Sequence, residues 1–180
     1  EKTTSGGAFD GALEKGRKAI RMHSIRTKPK QPRGKRQANT AFYRKKEYNT
    51  FIYNAWILVG KSQYYNGDFL DAMATFSYMA RLYRDEPNIR AIARLWQSRC
   101  YIALGWVPDA ERTLATVSSE DTRKQKGLYA KALADVALTK DDPSEAIEPL
   151  KRAIKYEKDK LTRIRLRFLL GQIQQECGRN

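Results

Sequence analysis

The stretch Asn54–Phe76, NAWILVGKSQYYNGDFLDAMATF, places small and aromatic residues at intervals that suit two helices joined by a tight turn. When Trp56 is taken as the fourth residue of a 34-residue helix–turn–helix unit, Gly60 is the eighth and Gly67 the fifteenth. A small residue at the eighth place allows the two helices to cross closely, and Gly67 supplies the backbone angles of the turn. The stretch therefore predicts one antiparallel helix pair.

The same spacing recurs along the chain, which makes it a repeat. Gly105 and Ala110 stand as Gly67 and Ala72 do, 38 residues further on, and Ala134 and Ala146 take the corresponding small-residue places of a third unit. Upstream, GALEKGRKAI fits a second helix of a pair, with Ala12, Gly16 and Ala19 on its packing face; downstream, LTRIRLRFLLGQIQQECGRN begins a fourth unit and reaches a turn at Gly178. The repeat is the tetratricopeptide (TPR) pattern.

The predicted fold is all-α, a right-handed TPR solenoid of antiparallel helix pairs. No segment alternates polar and β-branched residues with period two, so we expect no strands. Three segments are predicted: a half unit at residues 1–22, a basic insertion or linker at 23–50, and the repeats at 51–180, with full units at about 53–87, 91–125 and 127–160 and a truncated fourth pair.

The first helix of each TPR unit lines a concave face, so its exposed positions are the candidate protein-binding residues. They are Asn54, Ile57, Lys61, Tyr64, Tyr65, Ile92, Leu95, Arg99 and Lys131. A groove of tyrosines, aliphatic residues and cations suits a peptide or helix of a partner protein. The alternative interpretation is that several of these residues only pack within the repeats and contact no partner. Lys61 stands where the known carboxylate clamp of TPR proteins needs an asparagine, so we do not predict that clamp.

The net charge of +15 is concentrated near the start, since residues 1–50 carry 14 basic and 4 acidic residues. The candidate basic docking residues are Arg26, Lys28, Lys30, Arg33, Lys35, Arg36, Arg44, Lys45 and Lys46. Three interpretations remain open for them: a solvated insertion, docking to an acidic partner or an anionic lipid surface, and binding of nucleic acid. A nucleic-acid partner is the weakest of the three, because no known nucleic-acid module surrounds the segment.

Catalytic and metal motifs are missing from the sequence, so we predict no enzyme, no cofactor, no metal and no small-molecule substrate. Cys100 and Cys177 fall in apolar-periodic segments, and we expect both to be buried and unbridged. No stretch is apolar for the length that a membrane-spanning helix needs.

A narrower resemblance covers about residues 12–115. The segment EYNTFIYNAWILVGKSQYYNGDFLDAMATFSYMARLY resembles the PorW/SprE family of Bacteroidota, with Tyr53 in place of the family's histidine. The matching residues are Asn54-Ala55-Trp56, Gly60-Lys61, Gln63, Gly67-Asp68-Phe69 and Ala80-Arg81-Leu82-Tyr83. From Ser118 onward only generic repeat character remains.

The resemblance implies a lipoprotein on the periplasmic face of the outer membrane that serves type IX secretion and gliding motility. In that family the protein is thought to connect the outer-membrane translocon with the periplasmic ring, so these would be the partners. The chain would then be the N-terminal TPR part of a longer protein. Two alternatives are a TPR adaptor in other cell-envelope assembly and a basic, nucleic-acid-associated TPR protein.

Overall fold

A computed structural model describes residues 7–23, 52–117, 124–140 and 143–178, and this part of the chain consists of helices and turns without any strand. The helices are α1 (Gly7–His23), α2 (Ile52–Asn66), α3 (Phe69–Leu82), α4 (Pro87–Ala103), α5 (Val107–Ala115), α6 (Lys126–Ala137), α7 (Ile147–Tyr156) and α8 (Lys160–Glu176). The all-α prediction is confirmed, and helices that are adjacent in sequence pack in pairs.

The described residues fall into two compact units, divided inside α3 between Thr75 and Phe76. Unit 1 ends with Thr75 and unit 2 begins with Phe76. Each unit has its own set of packing contacts.

In unit 1, α1 and α2 pack antiparallel. Phe9, near the start of α1, stacks on Tyr65 at the end of α2 with ring centroids 5.6 Å apart. In the middle of the pair Gly16 is buried, and a Cβ built there would lie 2.8 Å from Cγ2 of Val59. Ala12 and Ala19 are half-buried on the same side. The small residues that the sequence places on this face therefore permit the close approach of the two helices.

In unit 2, each helix pair is antiparallel and the first helices of successive pairs are parallel. Within a pair, Arg94 of α4 donates to the carbonyl oxygen of Thr116, 2.9 Å away, just beyond the end of α5. Between pairs, Gln125 donates to Asn88 at 2.8 Å near the start of α4 and α6. Two apolar clusters fill the interior, one shared by α4, α5 and α6 and the other by α6, α7 and α8.

The turns follow the repeat. Gly67, Gly105 and Gly178 adopt φ values of +86°, +77° and +65°, in the left-handed region where a side chain is strained. Each glycine lies just after the end of its helix, α2, α4 or α8, where the sequence predicts a turn. The turn that precedes Pro143, by contrast, lies partly outside the described residues. After it, Pro143 begins a short 3-10 helix through Ala146, and α7 follows at Ile147.

The aromatic residues of the opening stretch have different environments. Phe76 is fully buried and stacks on Trp96, with ring centroids 5.8 Å apart, so it fills space between helices within unit 2. Trp56, by contrast, is only half-buried and borders an open cavity in unit 1.

Candidate functional site

Unit 1 contains an open cavity of about 460 Å³ between α1, α2 and the first turns of α3. This volume lies within the range of pockets that bind small molecules or the side chains of a peptide. The cavity is lined by Arg17, Ile20, Arg21, Trp56, Val59, Gln63 and Thr75.

The charged rim of the cavity comes from α1. Arg17 and Arg21 are one helical turn apart, so both guanidinium groups lie on the same side of the helix, and both residues are exposed. Neither forms a hydrogen bond or an ion pair with any residue that the structure describes. A guanidinium group offers a planar set of donors that matches a carboxylate. The rim is therefore suited to an acidic group.

The rest of the lining is apolar, apart from one internal hydrogen bond. Ile20, Trp56 and Val59 supply hydrocarbon and aromatic surface. Thr75 donates to the side-chain oxygen of Gln63 at 2.7 Å, which holds the nearly buried Gln63 side chain in place. An apolar floor beneath two cations can accept a ligand in which a carboxylate stands next to an apolar side chain.

The candidate groove residues of α2 lie outside this cavity. Tyr65 is 55% exposed and stacks on Phe9, while Tyr64 meets Tyr65 and Phe69 edge-on at 5.4 and 5.3 Å. The two tyrosines thus pack in an aromatic cluster at the end of the helix. Along the same helix, Asn54 is exposed, and Ile57 and Lys61 are half-buried.

In unit 2, Leu95 cannot contact a partner, which corrects the prediction that it lines the groove. Its side chain is 0% exposed and belongs to the apolar cluster of α4, α5 and α6, because α6 packs directly against this face of α4. Ile92, three residues earlier, is half-buried.

The two candidate cations of unit 2 are engaged within the protein. Arg99 donates from Nε to Oδ2 of Asp135 at 2.5 Å, and its guanidinium carbon lies 4.7 Å from the ring centroid of Trp96. Lys131 donates to Oε2 of Glu157. These pairs link α4 to α6 and α6 to the residue after α7. A ligand would have to displace a carboxylate in order to use either cation.

The electrostatics of Glu157 fit this structural role. Partial burial raises the pKa of its carboxyl group, but hydrogen bonds from Lys131 and from the backbone N–H groups of Asp159 and Lys158 outweigh burial. The pKa is therefore lowered overall, and the carboxylate is charged at neutral pH.

Neither cysteine forms a disulfide. Cys100 is fully buried, and burial raises the pKa of its thiol to about 12. Cys177 is only half-buried, against the expectation that both would be enclosed, because it follows the last turn of α8.

The basic docking residues between Arg26 and Lys46 lie outside the described residues. In the part of the chain that is described, no cluster of three or more His, Cys, Asp or Glu side chains could hold a metal ion. None of the described helices has the length and apolar character needed to cross a lipid bilayer.

The sequence pattern missed Arg17, Ile20 and Arg21 as site residues because it assigned binding only to the first helices of the repeats. The signal that could have identified them is the arginine pair, one turn apart and directly after the packing residue Gly16. Comparisons of the chain with protein-family models, with curated proteins and with solved structures find no match.

Proposed function

We propose that this protein is a non-enzymatic, protein-binding scaffold of TPR type, and that the cavity of unit 1 holds a segment of its partner. The observation that carries the proposal is the pair Arg17 and Arg21 beside an apolar floor. In unit 2, Arg99 is held by an internal ion pair with Asp135, whereas Arg17 and Arg21 remain available within the described part of the chain.

The chemistry of the cavity defines the partner segment. It carries an aspartate, a glutamate or a C-terminal carboxylate next to a medium-sized apolar side chain. The carboxylate binds the guanidinium groups, and the apolar side chain covers Trp56 and Ile20. The TPR assignment is supported by the positive φ angles of Gly67, Gly105 and Gly178 and by the parallel packing of α4 and α6.

For the cellular role we propose the type IX secretion machinery, with the protein linking the outer-membrane translocon to the periplasmic ring. The support for this is the resemblance of residues 12–115 to the PorW/SprE family. A TPR adaptor elsewhere in the cell envelope is the alternative that shares the same binding chemistry.

The test is affinity capture of the tagged natural protein from cross-linked cells, comparing wild type with the double variant Arg17→Glu, Arg21→Glu. The matched control is Lys15→Glu, Lys18→Glu, which reverses two exposed charges of the same helix outside the cavity. We expect translocon or ring components with wild type and control, and at least a tenfold loss with the cavity variant.

Two results would contradict the proposal. Equal recovery of partner proteins with the cavity variant and the control variant would show that the cavity does not bind the partner. Recovery of nucleic-acid complexes without any secretion component would exclude the secretion scaffold. If other envelope proteins are captured and lost with the cavity variant, the binding site stands and the secretion role does not.

A further inference from the structure

The last described helix, α8, carries a stripe of large apolar side chains on its outer face. Leu161, Ile164 and Phe168 are 65%, 50% and 68% exposed. Their spacing of three and four residues places them on one side of the helix. Three such residues in a row differ from the scattered apolar residues that normal surfaces contain, and contiguous exposed apolar surface marks interaction sites.

The opposite side of α8 is firmly packed. Ile173 is 3% exposed and lies in the apolar cluster of α6, α7 and α8, with Leu166, Leu169 and Leu170 packed against it. At the start of the helix, the carboxylate of Asp159 accepts a hydrogen bond from the backbone N–H of Thr162 at 2.7 Å. The outer stripe therefore lies on a fixed helix and takes no part in the apolar clusters that the described residues form.

The equivalent face of α4 shows which kind of structural element can pack on the outer face of α8. Gly105 and Gly178 occupy the same turn position, so Ile164 and Phe168 of α8 correspond to Ala91 and Leu95 of α4. In α4 these two residues are 1% and 0% exposed, because α6 packs along that face. On α4, therefore, a helix of the same molecule covers the face that corresponds to the outer face of α8.

Charge distinguishes the kinds of helix that could bind. Arg165 lies on one side of the stripe, and Lys160 and Arg167 lie on the other; all three are exposed. The only acidic residue of α8 is Glu176, in its last turn. A second copy of the same face would bring these cations together, whereas a helix with carboxylates beside its apolar stripe would pair with them.

We propose that the outer face of α8 docks an amphipathic, acidic helix of a partner protein. Leu161, Ile164 and Phe168 bury its apolar stripe, and the flanking cations orient it. Near the other end of the face, a Cβ built on Gly171 would meet no atom within 4 Å, so nothing in the described residues obstructs the approach of a helix there. This surface and the cavity of unit 1 are formed by different residues, and the proposal does not depend on a role for that cavity.

The experiment uses the 180-residue chain and two designed helical peptides of about 20 residues. Both carry leucines at i, i+3, i+4 and i+7; one has glutamates beside the stripe and the other has lysines. Binding is followed by fluorescence anisotropy at about 50 mM salt, where screening is weak. We expect the acidic peptide to bind at least tenfold more tightly than the basic one.

Variants then assign the binding to α8. Phe168→Ser should weaken binding of the acidic peptide at least tenfold, and the combined change Arg165→Glu, Arg167→Glu should reverse the preference between the peptides. Leu70→Ser, which removes another exposed leucine, is the control and should leave both affinities unchanged. Circular dichroism confirms that each variant keeps its helices.

Three outcomes would overturn the proposal. The first is equal affinity for the two peptides, or affinity that survives Phe168→Ser. The second is wild-type dimerisation abolished by Phe168→Ser in analytical ultracentrifugation, which would assign the face to a second copy. The third comes from maleimide labelling of Ile164→Cys in a Cys177→Ser background, measured in the 180-residue chain and in a longer natural form of the protein. Labelling that is at least tenfold slower in the longer form would assign the face to the protein's own chain.

Discussion

In unit 2, Arg99 and Lys131 each bind a carboxylate of a neighbouring element, whereas in unit 1 Arg17 and Arg21 border a cavity and have no partner among the described residues. All four are cations on amphipathic helices. Their difference arises because unit 2 brings Asp135 opposite Arg99 and Glu157 opposite Lys131, whereas the described residues of unit 1 bring no carboxylate to Arg17 or Arg21. The comparison separates cations that hold the fold together from cations that remain available to a partner.

The largest expected effect concerns the helix contact that forms the cavity wall. Gly16→Leu should destabilise unit 1 by about 1–3 kcal/mol, since the added side chain collides with Val59. Gly11→Leu is the matched control, because a Cβ there meets nothing within 4 Å and leucine favours the helix by roughly 0.8 kcal/mol over glycine. Urea unfolding followed by circular dichroism measures both. Equal stability of the two variants would contradict the close approach of α1 and α2.

The next effect tests the structural cations directly. Asp135→Asn should cost about 1–3 kcal/mol, because it leaves the largely buried Arg99 guanidinium without its carboxylate. Arg17→Gln, at the exposed rim of the cavity, should change the stability by less than about 0.5 kcal/mol. Chemical denaturation gives both values, and a double-mutant cycle with Arg99→Met isolates the pair. If the two single changes cost the same, the distinction between the units fails.

A smaller effect follows from pH. Because the pKa of Glu157 is lowered in the folded protein, its carboxylate contributes stability above the ordinary glutamate value near 4.5, and the contribution is lost as the pH falls through the lower folded value. Wild type should therefore be more stable than Glu157→Gln by roughly 1 kcal/mol at pH 6–7, where the difference is largest. The difference should shrink toward pH 3. In a Lys131→Met background the same difference should become smaller and flatter. A difference that grows on acidification would contradict the assignment.

The last prediction concerns the reactivity of the two cysteine thiols, which reports on how tightly each is packed. At pH 8, iodoacetamide should modify Cys177 at least about a hundred times faster than Cys100, because the thiolate is the reactive form and burial raises the Cys100 pKa to about 12. Mass spectrometry of digested protein gives both rates. Rapid modification of Cys100 in the folded protein would show that the core of unit 2 opens far more readily than its packing indicates.

Positions governed by local chain geometry could be predicted from the sequence. Gly67 and Gly105 each end a helix with positive φ, as their place in the repeat requires, because a tight turn tolerates few other residues. The spacing of Gly16 with Ala12 and Ala19 likewise predicts a packing residue. The turn predictions depend on short-range sterics, which a residue and its chain neighbours largely determine. The spacing around Gly16 indicates only a packing face, and its contact with Val59 of α2 is a tertiary one.

The repeat spacing was enough to predict that the chain forms helix pairs, where the pairs turn, and which small residues lie between them. The structure was needed to show that α6 encloses Leu95, that Asp135 and Glu157 pair with Arg99 and Lys131, and that Arg17 and Arg21 border a cavity with Trp56. These outcomes depend on which residues of distant segments meet across a helix interface. A helical period states which side of a helix a residue occupies, but it does not state what lies opposite.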